Sequence, residues 1–263
     1  MGFRRLFGIG NGNGNGGNDD PPEIDTQITT FHLVPGQDIA GEVVLKGGSQ
    51  GFKIDHLNLD VVAKGYYYNG TITDDEVTGL NVRRYSLTVA PGAEERVPFS
   101  GRLPWECPVT ELAGQALGVD VSLTTWLQWE SESPVRDLDF LHIAAPPLYE
   151  AVLDAFAEEG YRVNGSQLID EYIPDAEARR GLYQIFFVSD PGRGADRFAE
   201  LEIVFHQNAV GAMVYVRRAA RSTFQWKEKP PVRSFPAAHH EAGQIDLGER
   251  VRKTLAALAL MDG

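Results

Sequence analysis

A single cysteine, Cys107, is all the thiol chemistry this chain of 263 residues offers, so no intramolecular disulfide can form and a reducing, cytoplasmic compartment is the expected home. No apolar run approaches the roughly 18 residues that a spanning helix needs. Nor is a signal peptide expected, because Phe3 to Ile9 is too short for its apolar region and no small-residue cleavage site follows. Positive charge is scarce, with 24 Lys and Arg against 37 Asp and Glu, a net charge of -13. That acidic balance repels phosphate backbones and argues against nucleic acid as a partner.

The motifs of metal and nucleophilic chemistry are missing as well. The histidines are His32, His56, His142, His206 and the pair His239-His240, and none stands in an H-E-x-x-H or C-x-x-C context. Cys107 sits beside Glu106, whose charge would raise rather than lower a thiol pKa. No G-x-S-x-G elbow occurs. Asp74-Asp75-Glu76 and Glu130 with Glu132 lack the spacing of a calcium loop and read as solvated loop tips. Gly12, Gly14 and Gly17 spell G-x-G-x-x-G, but no strand precedes them and no helix signal follows. No cofactor, metal or catalytic group is expected, and the chain does not read as an enzyme.

What the sequence does hold is strand after strand, punctuated by 28 glycines and 15 prolines. Tyr85 to Pro108 sets the pattern. Leu87 and Val89 alternate with polar neighbours, Pro91-Gly92 turns the chain, and Val97 and Phe99 resume the two-residue period. Leu103 and Trp105, between Pro98, Pro104 and Pro108, extend an apolar edge that must pack against something. Earlier, Ile24 to Phe31, Ile39 to Leu45 and the alternating Leu57, Leu59, Val61 and Ala63 read as strands. Tyr66 to Tyr68 lead to an Asn69-Gly70 hairpin turn. Val119 to Glu130 and Leu138 to Ala144 close the series. Many short strands without helices between them predict an antiparallel sandwich.

Ala144-Ala145-Pro146-Pro147 marks a boundary. Leu148, Val152 and Phe156 then recur at helical spacing, with Pro147 suited to the first turn and Gly160 to a left-handed stop. Strand patterns return at Tyr161 to Val163, Tyr183 to Val188, Phe198 to His206 and Val210 to Val216, and Phe224 to Trp226 adds one more. Ile245 to Leu260 predicts a closing amphipathic helix, capped by Asp246 and burying Leu247, Val251, Leu255 and Leu258. At the other end, Phe3, Leu6 and Phe7 flank Arg4 and Arg5 in a short basic amphipathic tip. A Gly/Asn-rich tether from Gly10 to Asn18 follows it, and the tip is a candidate for membrane or partner contact. The expected organisation is therefore 1–22 as tip and tether, 23–145 as an N-terminal lobe and 146–263 as a C-terminal lobe with helices.

Three runs in this order carry a family resemblance. They are Pro35 to Gly48 with its G-E-V-V-L-K-G-G, the P-G-x-x-x-x-V-P-F-x-x-x-L-P signature from Pro91 to Pro104, and R-D-L-D-F from Arg136 to Phe140. Together they resemble the bacterial sporulation-control protein family (Spo-zero-M type), itself similar to arrestins. The resemblance implies a mainly β protein of two arrestin-like antiparallel β-sandwich lobes joined by a Pro-Pro hinge. One helix opens the second lobe and an amphipathic helix ends the chain. It implies a non-enzymatic regulator or scaffold, acting through protein contacts in developmental control or cell division, with homo-oligomers possible. By analogy with the interdomain polar core of arrestins, Arg136, Asp137 and Asp139, just before the hinge, are expected to lock the angle between lobes.

Two rival readings stay open. A carbohydrate- or small-ligand-binding sandwich would stack its ligand on Tyr66 to Tyr68, Trp126 and Trp129. An enzyme would use the carboxylate pair Asp137 and Asp139, for which no base or nucleophile is readable.

Overall fold

The computed structural model describes residues 22–66, 72–82, 87–129, 134–170, 182–194, 198–219 and 230–261. The protein is mainly β and its sheets are antiparallel, with two α-helices. In the N-terminal half, β1 (Glu23–Ile28), β2 (Asp38–Lys46), β3 (Phe52–Tyr66), β4 (Ile72–Val82), β5 (Leu87–Val89) and β6 (Glu94–Arg102) come first. A two-residue hairpin, β7 (Glu111–Leu112) and β8 (Gln115–Ala116), precedes β9 (Val121–Trp129) and β10 (Val135–Phe140). One sheet runs β1-β2-β6 and the other β10-β9-β3-β4, with β5 beside the start of β3. β4 joins both, because Asn81 and Val82 leave β3 and pair with Ser100 and Phe99 of β6.

The alternation that marked these strands buries one face of each against the other sheet. Ile39, Val43 and Leu45 of β2 meet Leu59, Val61 and Ala63 of β3 and Leu123 and Leu127 of β9 in one core. β3 is longer than the clean alternation predicts, since bulges between Ile54 and His56 and between Val61 and Val62 interrupt the register.

Pro146, with φ -61 and ψ 148, caps helix α1 (Pro147–Glu158), and Pro147 takes its first turn as its fixed φ allows. Leu148, Val152 and Phe156 are buried, and Gly160 ends the helix at φ 98. β11 (Arg162–Asp170), β12 (Leu182–Ser189), β13 (Glu200–Gln207), β14 (Gly211–Arg218) and β15 (Arg233–Ala238) then form an antiparallel meander. Tyr149 of α1 stacks on Phe205 at 3.9 Å and meets Phe186 edge-on at 5.9 Å, which seats the helix on one face of the meander. The closing helix α2 (Gly248–Met261) packs on α1 and β15. Asp246 accepts the Gly248 amide at 2.7 Å, the cap its position predicts, and Val251 and Leu258 are buried. The meander's other face holds a second cluster of Tyr183, Ile185, Val204 and Tyr215. Beside it Arg217 donates to a buried Glu202 carboxylate at 2.6 Å.

One strand pairing among the described residues joins the halves. Ile169 of β11 bridges Tyr66 of β3 in parallel, while inside the N-terminal half two further parallel bridges link Leu33 to Ile143 and Glu111 to Ala144. The buried apolar cluster runs without a break from Leu33 to Leu258. The turn at Pro35-Gly36 serves this seam directly. Gly36 stands at φ 79, and a Cβ there would lie 2.4 Å from the Trp105 ring.

Candidate functional site

Among the described residues β10 pairs with β9 alone, in a register that places Arg136 opposite Trp126, Asp137 opposite Thr125 and Asp139 opposite Leu123. Neighbouring residues of a strand point to opposite faces, so Arg136, Leu138 and Phe140 face outward while Asp137 and Asp139 face the rim of the core. The three residues expected to form one polar core are therefore not brought together. The Arg136 guanidinium lies over the Trp126 ring, 3.3 Å from its centroid. Asp137 instead accepts the Thr26 amide of β1 on Oδ2 at 2.7 Å and the Leu138 amide on Oδ1 at 3.0 Å. Beside it, Thr26 and Thr125 share a hydroxyl hydrogen bond of 2.7 Å. These contacts close β1 onto β10 inside the N-terminal half.

Asp139 is pushed up to about 7, first by burial and then by the charges of Asp137 and Asp25. Its Oδ2 is buried without a hydrogen-bond partner. Inward-pointing carboxylates on an edge strand discourage another strand from pairing there, because its approach would desolvate them.

The outer face is different. Leu138 is 53% exposed and Phe140 67%, directly across from the small, nearly buried floor residues Thr124 and Ser122 of β9. Asp60 of β3 stands opposite Thr124, and its carboxyl is raised by burial and by Glu76. Phe31, fully exposed, rides a loop that the Leu33 to Ile143 bridge sets beside the end of β10.

Of the aromatics proposed for ligand stacking, Trp126 and Trp129 do not share one platform. Trp129 lies on the opposite face of β9 from Trp126, meets Phe52 edge-on at 6.1 Å and keeps its indole nitrogen buried. Tyr67 and Tyr68 lie outside the described residues, as do the Asn69-Gly70 turn, Glu130, Glu132 and Phe224 to Trp226. The basic tip Phe3, Arg4, Arg5, Leu6 and Phe7 and its tether lie outside them too. His142 bonds Glu111 at 2.8 Å in solvent, and His239 bonds the Asn208 carbonyl at 2.8 Å. Among the described residues no cluster of three or more His, Cys, Asp or Glu could hold a metal ion. Cys107 is buried.

The groups that lock the halves were not legible in the sequence. Gln184 of β12 grips the Val109 backbone, and Gln207 of β13 donates to the Trp105 carbonyl at 3.3 Å. The Trp105 ring meets the His239 ring at a tilt, centroids 5.6 Å apart, which gives the apolar edge foreseen around Leu103 and Trp105 its partner. Only spatial proximity marks the two glutamines, and no local pattern signals it.

The family model described as SpoOM protein matches residues 13–220. The sporulation-control protein spo0M of Bacillus subtilis (strain 168) is 29% identical over 218 residues, 79% of this chain and 80% of that protein. The crystal structure of Spo0M from Bacillus subtilis is similar at a TM-score of 0.70 and 22% identity, covering 90% of this chain and 98% of that one. With the family pattern spanning most of its length and the same fold over nearly all of it, the chain belongs to the SpoOM family.

Proposed function

We propose that this protein is a regulator of the sporulation-control type that works through protein contacts and carries out no chemistry of its own. The family and the name of its Bacillus subtilis relative support the sporulation-control role. The observation that supports the contact mechanism is the pair Leu138 and Phe140, large apolar side chains held in water on a strand registered against β9. Exposed apolar patches on a rigid sheet are what a partner surface needs. Two lobes dividing at 145/146, each a unit of recognition, belong to the same reading. The basic tip Phe3 to Phe7 supplies a second, reversible attachment to a membrane or partner. A buried lone thiol fits cytoplasmic work, and no described helix is long and apolar enough to cross a membrane.

The test is made in the bacterium that encodes the protein. A photo-crosslinking amino acid at position 140 is expected to trap a discrete protein partner, and one at the exposed position 233 is not. Deletion of the gene is expected to change spore yield or cell division. Unchanged spores and division, with no crosslink at 140, would overturn the proposal.

A further inference from the structure

The outer face of β4, β3, β9 and β10 is a shallow groove with two unlike walls. Leu138 and Phe140 make an apolar wall along β10, with the Trp126 ring beside it under the Arg136 guanidinium. Across the floor of Ser122 and Thr124, the β3 and β4 side carries Asp60, Asp74 and Glu76. Among the described residues near it, Arg136 lies on Trp126, Lys64 pairs with Asp120 at 3.7 Å and Lys46 with Glu23 at 3.8 Å. From this we infer that the groove docks a basic, amphipathic segment of a partner protein, with apolar side chains against Leu138 and Phe140 and arginines or lysines facing the acidic wall. The inference rests on the protein-contact reading and adds the chemistry of the partner.

Other occupants fit less well. Strand addition to β10 is opposed because the Leu138 amide is already capped by Asp137, whose other oxygen holds Thr26. Nucleic acid and anionic lipid headgroups are repelled by the same three carboxylates. A cationic amphipathic segment meets opposite charge on one wall and buries apolar surface on the other.

The full chain is titrated into a labelled synthetic peptide of alternating leucine and arginine, followed by fluorescence anisotropy. A counterpart peptide with glutamate for every arginine is run beside it. The arginine peptide is expected to bind, with affinity reduced about tenfold by Phe140→Ser, by Leu138→Ser and by the pair Asp60→Asn/Glu76→Gln. The pair Glu106→Gln/Asp154→Asn, at exposed positions in other elements, is expected to leave binding unchanged. Equal binding of the glutamate peptide, or equal loss with the control pair, overturns the inference in favour of attraction by net charge alone. Two further results overturn it by naming another occupant. One is a dimer, seen by sedimentation without peptide, that Phe140→Ser dissolves. The other is tighter peptide binding after Arg4→Glu/Arg5→Glu, which makes the chain's own tip the resident. An acidic partner segment crosslinked at position 140 overturns the basic chemistry while leaving the protein-contact reading intact.

Discussion

Gln184 and Val109 hold each other by both ends of an amide: the Val109 N–H donates to Gln184 Oε1 at 2.8 Å, and Gln184 Nε2 donates to the Val109 carbonyl at 2.8 Å. Seventy-five residues separate them, and they belong to different halves of the molecule. Gln184→Leu keeps the volume and strands both backbone groups in a part-buried seam. The expected loss is about 1–3 kcal/mol of stability, the usual cost of unpaired buried polar groups. Amide exchange at Val109 is expected to quicken more than exchange in β2 or β6, and unchanged protection there would refute the clamp.

Asp137 acts on β1. Asp137→Ala removes the acceptor of the Thr26 amide and is expected to cost about 1–2 kcal/mol. Thr26 should lose exchange protection while the small-angle scattering profile stays the same, because both ends of this contact lie in the N-terminal half. A changed profile would instead restore Asp137 as a lock between halves.

Asp139 gives the fold an acid-side preference. Its pKa is raised from 3.8 to about 7, so across that window the folded chain keeps a proton the unfolded chain has released. Stability therefore falls as pH rises through the window, and the penalty is complete above about 7. Asp139→Asn is expected to raise stability by about 1–2 kcal/mol at mildly alkaline pH, after discounting for partial exposure, with little effect near pH 4. Thermal melts of both proteins across pH check this, and a parallel offset at every pH would disprove it.

Glu241 works in the opposite direction. Arg250 donates to both carboxylate oxygens at 2.7 Å and the Ala238 amide adds a third bond at 2.8 Å. Those bonds lower the pKa from 4.5 to about 2, with the Arg250 hydrogen bonds the largest cause. The stabilisation is thus present above 4.5 and is lost as pH falls toward 2. Glu241→Gln is expected to cost about 1–2 kcal/mol at neutral pH. The difference from the parent should shrink to nothing near pH 2, and denaturant titrations at both ends of the range measure it.

Much of the fold was legible because its signals are local. Gly36, Gly92 and Gly160 take the positive φ that their turns and helix end require. α1 and α2 follow apolar spacing that needs no knowledge of the partner. β15 was missed because Pro236 and the short run Arg233 to Ala238 look unlike a strand, and its place beside β14 tolerates a proline. The grouping of Arg136 with Asp137 and Asp139 followed closeness in sequence. The two-residue period of the strand sends Arg136 to the other face.

By itself the sequence determined the element types, the turns, the acidic surface and the family, since each depends on neighbours a few residues apart or on composition. Only the tertiary structure decided which wall faces which. Register across β10, β9 and β3 puts Phe140 and Asp60 on opposite sides of one floor, and the seam brings Gln184 to Val109. Such meetings depend on the packing of distant strands, and no local pattern encodes a partner so far away along the chain.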